Sequence, residues 1–162
     1  TVNVILDHNT TAKVAWNLTG NNSEMNEVKK ALENDTSNWK RDLNPRLITA
    51  NEVAKITKHP TFDASKTGQS WFYLDSNNQT QTTSSTNKSK YAWLFDYTKE
   101  CTNYGCNKAD SSTEGYWTST SYKDNSPQAW NVFRHGTLSS YYVTYPYYGI
   151  RPVITISKSN IS

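Results

Sequence analysis

The sequence is poor in the residues on which many architectures depend, and each shortage removes a class. Only two cysteines occur in 162 residues, which excludes a disulfide-rich scaffold. They stand as C-T-N-Y-G-C, a spacing unsuited to C-x-x-C redox or zinc-knuckle chemistry, and no further Cys or paired His completes a metal site. Histidine is limited to His8, His59 and His135, far apart and without a flanking acid pair. The expectation is therefore a protein that is not an enzyme and carries no metal or cofactor. No apolar run approaches about 18 residues and no n-region/h-region pattern occurs, so membrane attachment is expected only through a segment outside this chain. Charge is short of pattern as well. Lys plus Arg number 17 against 14 for Asp plus Glu, a net of +3, with Lys29, Lys30, Lys40, Arg41, Lys88 and Lys90 scattered. Nucleic-acid binding wants a clustered basic face, and an anionic membrane wants a polybasic run; neither is present.

What is present is aromatic. Phe, Trp and Tyr make up 13% of the chain, so rings must supply much of the buried area that modest aliphatic content leaves open. Trp and Tyr bring N–H and O–H groups that need partners when buried. The length suits one domain spanning 1–162. Residues 76–90, S-N-N-Q-T-Q-T-T-S-S-T-N-K-S-K, offer little to bury and read as a mobile loop inside that domain. Cys101 and Cys106 admit two readings: two buried thiols, or a disulfide closing a tight loop turned by Asn103 and Gly105. The disulfide is preferred, and it implies an oxidising compartment. Seven N-x-S/T sequons, at Asn9, Asn17, Asn21, Asn34, Asn78, Asn87 and Asn160, are no more than so Asn/Thr-rich a chain produces by chance.

In chain order, Val2, Val4 and Leu6 alternate with more polar neighbours and predict a strand with one apolar face. Lys13 to Trp16 reads as a second extended piece. Ser23 is a candidate cap for a helix whose Met25, Val28, Ala31 and Leu32 recur at helical spacing. Thr49-Ala-Asn-Glu52 has capping-box spacing, with Val53, Ala54 and Ile56 on the apolar side of the second helix and Pro60 as its stop. Trp71 to Leu74 reads as a buried extended segment or a loop anchored by its aromatics, and Tyr91 to Phe95 as core. After Gly115 the pattern is all strand: Ala129–Phe133, a turn with Gly136 where positive φ is needed, Leu138–Thr144, and a final strand from Ile150 to Ser157. Helices followed by a run of strands indicate an α+β domain, with the two terminal strands free to pair.

The residues of that last third carry a resemblance. G-Y-W-T-S-T-S, A-W-N-V, H-G-T-L and G-I-R-P-V-I-T-I, in that order, resemble the C-terminal signature of bacterial C-type-lectin-like surface domains. The formylglycine-generating-enzyme-like fold is a relative of that group. Arg46 to Glu52 is similar to its R-L-P-T-x-x-E segment, with Ile48 in place of Pro. With V-N-V-I-L-D-H-N-T-T and Y-A-W-L-F-D-Y-T added, the whole chain looks like the exported, pilin-like proteins of gut Firmicutes. The resemblance implies a C-type-lectin-like fold with two short helices, paired terminal strands and a loop-rich C-terminal β lobe, displayed outside the cell. In some relatives that lobe is rewritten by diversity-generating retroelements, and the composition of Ser139 to Tyr148 is compatible with that origin. A calcium lectin is not expected. Trp130-Asn131 is followed by Val132 where the sugar-binding W-N-D motif has Asp, and no E-P-N or Q-P-D triplet occurs.

Tyr and Ser are residues that antibody combining sites favour, because Tyr gives rigid amphipathic contact and Ser adapts its hydrogen bonds. The candidate ligand-binding residues are accordingly Tyr122, Asp124, Asn125, Ser126, Arg134, His135, Ser139, Tyr141, Tyr142, Tyr145, Tyr147 and Tyr148. Strand geometry demands that alternate tyrosines fill the core, so about half should be exposed, those near Pro146 foremost. Trp117 and Trp130 are expected in the core, as are Val132, Leu138 and Ile154. Arg151 is expected to clamp main-chain carbonyls or a buried acid. Three hypotheses follow: a recognition domain for a protein or glycan, a structural pilin-like subunit contacting other subunits, and, last, an enzyme related to the formylglycine oxidases.

Overall fold

Two apolar clusters, one on each face of a central sheet, organise the structure. The computed structural model describes residues 1–74, 91–95, 113–122 and 126–161. The cysteines, Asp124, Asn125 and the 76–90 stretch lie outside the described residues. The class is α+β. The strands are β1 (Val2–Ile5), β2 (Thr11–Val14), β3 (Phe72–Tyr73), β4 (Gly115–Ser121), β5 (Gln128–Phe133), β6 (Thr137–Tyr142), β7 (Tyr148–Ile150) and β8 (Val153–Ile156). The helices are α1 (Asn26–Asp35) and α2 (Ala50–Ile56). Among the described residues no helix is long and apolar enough to cross a membrane.

The main sheet has the order β2-β7-β4-β5-β6-β3, with β4 and β7 parallel and its other pairs antiparallel. Period-two alternation sends Tyr116, Trp130, Val132 and Leu138 to one face, where Ala50 and Val53 of α2 cover them. Trp117, Ala129 and Ile150 meet Val28 and Leu32 of α1 on the other. Both central strands are therefore buried on both sides. Trp117 and Trp130 are both core residues, at 0% and 1% exposure.

The helix ends show which local signals suffice. At α2 the Thr49 hydroxyl accepts from the Glu52 amide while the Glu52 carboxylate accepts from the Thr49 amide, the reciprocal box that the spacing predicts. Arg46 grips the same carboxylate with two bonds of 2.9 and 2.6 Å. Burial alone would raise Glu52, but these donors outweigh it and hold the carboxyl below its ordinary range. The helix stops before Pro60 is reached, because Lys58 turns to φ 63° and Thr57 Oγ1 donates to the Val53 carbonyl. At α1 the expected Ser23 cap is not used, and the preceding residue is Met25 with no side-chain cap. The approach is held instead by buried Asn17, whose amide donates to the carbonyls of Asn21 and Glu24 at 2.9 and 2.7 Å. With Asn9, also buried and bonded to the Gly115 carbonyl, this assigns two of the sequon asparagines to architecture.

Three strand expectations need correction. β1 turns Ile5 toward the core and leaves Val4 exposed, the reverse of the predicted face, because apolar residues occur on both sides of that strand. The final strand is two: β7 pairs with β2 and β4, whereas β8 pairs antiparallel with β1, and the chain changes sheets at Arg151-Pro152. Val153 is the buried residue of β8, and Ile154 is only half-buried. The returning strand β6 ends at Tyr142, short of Thr144.

Arg151 occupies the crossing point with no exposed surface. Its guanidinium donates to the carbonyls of Trp93, Leu94 and Asp7 at 3.1, 3.2 and 3.2 Å, and lies 4.8 Å above the Tyr116 ring. The partners are main-chain carbonyls, and a planar fork of donors suits several at once. Burial pushes the Tyr116 hydroxyl up to about 12, against the pull of the Arg151 charge. The phenol thus remains a donor, and it also serves the Leu94 carbonyl. Gly149 sits beside this crossing because nothing larger fits: an added Cβ would lie 2.1 Å from the Thr11 carbonyl oxygen.

Candidate functional site

On the Trp117 face of the sheet a cleft of about 580 Å³ crosses the strands. Its base comes from β6, whose Thr137, Ser139 and Tyr141 fall on one side by alternation. Register places Phe133 of β5 and Tyr73 of β3 on either flank of Thr137. Tyr73 and Trp71 form one aromatic group, at 5.8 Å between centroids. The other group is Tyr141, Tyr145 and Tyr148, with Tyr145 at 4.3 Å from Tyr141 and 5.7 Å from Tyr148. β3 and β7, which carry Tyr73 and Tyr148, are separated in the sheet by β6, β5 and β4. Glu114, His135 and Ser140 complete the lining.

The polar groups here are of two kinds. Below the surface, Tyr148 hydrogen-bonds Ser139, and Ser139 Oγ donates to Oδ1 of fully buried Asn131 at 2.8 Å. This chain fixes the floor. Burial raises the Tyr148 hydroxyl well above its ordinary value, assisted by the nearby Glu114 carboxylate. Tyr145 is raised by the same causes in the same order. Both phenols therefore stay protonated near neutral pH and can donate as well as accept. Glu114 is the only acid among the described lining residues, and Arg134 Nε stands 3.8 Å from its carboxylate.

Of the residues singled out in the sequence, His135, Ser139, Tyr141, Tyr145 and Tyr148 line the cleft, with Arg134 behind its acid. Tyr148 is 4% exposed and packs on Trp117 at 4.8 Å, so it is floor and not rim. Tyr142 and Tyr147 are exposed but do not line it; Tyr147 packs on Tyr145 and lies under the Lys13 ammonium. Tyr122 faces the other side of the sheet, 5.1 Å from Trp130, with its hydroxyl on the Gln69 carbonyl. The Ser126 carbonyl is held with those of Tyr122 and Gln128 by the Asn22 amide, at 2.9, 2.8 and 3.2 Å. Tyr122 therefore lies off the cleft, and Ser126 is not among its lining residues. Sequence reasoning missed Trp71, Tyr73, Glu114, Phe133, Thr137 and Ser140. Period-two geometry sets Trp71 with Tyr73 and opposite Leu74, which is fully buried while Trp71 is 44% exposed, but four apolar residues in a row do not show which face is buried. Glu114 had no signal at all. Among the described residues no group of three or more His, Cys, Asp or Glu side chains converges where a metal ion would sit.

An α+β scaffold presenting an aromatic cleft is thus the class that fold and site define. Residues 46–158 match the family model described as Domain of unknown function (DUF6273), and the chain belongs to that family. No curated protein and no solved structure matches the chain. The matched segment begins after α1, yet β1 and β2 are structurally integral: one pairs with β8 and the other with β7.

Proposed function

We propose that the protein is an extracellular, surface-displayed recognition domain of C-type-lectin-like fold that binds a protein or glycan in the aromatic cleft. The observation that carries this reading is the cleft itself: aromatic walls with a few well-placed polar groups on a rigid sheet are the make-up of a ligand site. Tyr and Ser predominate on it, as in combining sites that rely on preorganised phenol contacts. Two helices, antiparallel terminal strands and a β-rich C-terminal lobe support the lectin-like assignment. A Cys101–Cys106 disulfide, display on a pilus-like fibre and diversification by a retroelement belong to the same proposal and rest on the sequence resemblance. The alternative of a purely structural subunit is separated by choosing the right tyrosines. Replacing Tyr148 would damage the core, so the informative changes are Trp71→Ala with Tyr141→Ala, both exposed and both on the cleft. Affinity for a ligand selected from arrayed cell-surface proteins and glycans should fall at least about tenfold in the double variant. The control Tyr142→Ala/Tyr147→Ala should keep it. Equal affinity in all three proteins would sink the reading.

A further inference from the structure

We infer that the cleft takes a neutral glycan, held without a metal by stacking of sugar rings on Trp71 and Tyr141; this rests on the recognition reading above. Shape gives the first argument. A standard protein partner spreads over about 800 Å² of each surface, whereas a concave site of about 580 Å³ has the size of pockets that enclose small molecules or short chain segments.

Charge gives the second. The single acid among the described lining residues, Glu114, has the Arg134 guanidinium 3.8 Å away and shares its charge with it. A cationic ligand would need that carboxylate to itself. An anionic ligand would need a Lys or Arg on the wall, and among the described residues the lining contains neither. A neutral ligand needs no such counter-charge.

Surface chemistry gives the third. Within neither aromatic group do two rings form a parallel slot of the kind that grips a flat heteroaromatic ring. Trp71 and Tyr73 meet at 79° and Tyr141 and Tyr145 at 53°. Tilted faces suit a puckered ring that offers C–H groups on one side and hydroxyls around its edge. Those hydroxyls both donate and accept, and so do the protonated phenol of Tyr145 and the hydroxyl of Thr137 among the lining groups. Trp71 and Tyr141 are 44% and 41% exposed, which leaves ring surface to cover.

The test is calorimetric titration with neutral oligosaccharides (β-linked glucose, mannose and galactose hexamers), with a uronic-acid oligomer and a trimethylammonium compound as charged comparisons. Each is run in EDTA and again with added calcium. At least one neutral oligosaccharide should bind, equally in EDTA and calcium, and should weaken about tenfold or more in Trp71→Ala. Trp71→Phe should restore most of the affinity, separating a stacking role from a fold defect, and Tyr141→Ser should weaken binding again. Calcium-dependent binding, or stronger binding of either charged compound, overturns the inference. Failure of all neutral oligosaccharides does the same. If a protein ligand then shows loss of affinity in Trp71→Ala/Tyr141→Ala, the recognition reading stands while the glycan falls; if no ligand senses that double change, both fall.

Discussion

Arg151 and Tyr141 stand close together in sequence, and each is the centre of a polar–aromatic cluster, yet the two clusters spend their chemistry in opposite ways. Around Arg151 the guanidinium donors go to the Trp93, Leu94 and Asp7 carbonyls, and the charge lies over Tyr116, with nothing open to water. Around Tyr141 the rings lean on one another at tilted angles, while Trp71 and Tyr141 keep large exposed faces. One cluster satisfies itself and ties three chain segments together. The other keeps ring surface and hydroxyls in hand. The same residue types thus make a joint in one place and a candidate binding surface in the other, and solvent exposure separates them.

The contrast predicts graded effects on stability. Arg151→Met keeps much of the side-chain volume but removes a donor from the Trp93, Leu94 and Asp7 carbonyls; Leu94 keeps the Tyr116 hydroxyl, and each of the other two acceptors left alone costs about 1–3 kcal/mol. A loss of about 3 kcal/mol or more is expected in denaturant unfolding; a loss under about 1 kcal/mol would mean that water replaces the clamp without penalty.

An intermediate effect belongs to β3, which serves both regions: Phe72 packs against the core while Tyr73 faces the cleft. His59 anchors it by a hydrogen bond to the Tyr73 main chain and by ring contact with Phe72 at 3.9 Å. Burial holds the imidazole below its ordinary 6.5, so the unfolded chain takes up the proton first. The His59 contribution is intact above 6.5 and is lost as pH falls through the lowered folded value. Unfolding midpoints measured between about pH 7.5 and 5 should fall in the native protein and change less in His59→Gln. The lowered carboxyls of Asp7, Glu52 and Asp63 titrate below this window, so parallel curves for the two proteins would remove His59 from the account.

The smallest effect is expected on the rim. Tyr141→Ser should change stability by no more than about 1 kcal/mol, because the ring is partly exposed and its packing is with other rim tyrosines. A loss as large as that of Arg151→Met would make Tyr141 a structural residue and leave the cleft without its free wall.

Legibility followed the range of the interaction. The α2 capping box joins residues three apart and was readable from Thr49 and Glu52 alone. The Gly136 turn, at φ 83°, was equally local. The core positions of Trp117, Trp130, Val132 and Leu138 followed from alternation along one strand each. Alternation failed at β1, where Val4 and Ile5 were both apolar and only the packing against α2 and β8 chose between them. Nor did it choose a face at Trp71, within four apolar residues in a row. Ser23 lost its expected role to Asn17, and the main-chain carbonyls of Tyr122 and Ser126 are held by Asn22, a residue about a hundred positions away.

The sequence by itself determined the class of the fold, the helix at Thr49, and the aromatic wealth of the last third, because each is set by local spacing or composition. The assembly of the cleft was decided by tertiary structure. Trp71, Glu114, Tyr141 and Tyr148 meet only because β3 pairs with β6 and β7 pairs with β4. Which tyrosines face solvent was decided there too. Tyr148 and Tyr147 are neighbours of one kind, and the parallel pairing of β7 with β4 turns the first onto Trp117 and leaves the second at the surface. Long-range register, unlike a cap or a turn, depends on partners that no short window of sequence contains.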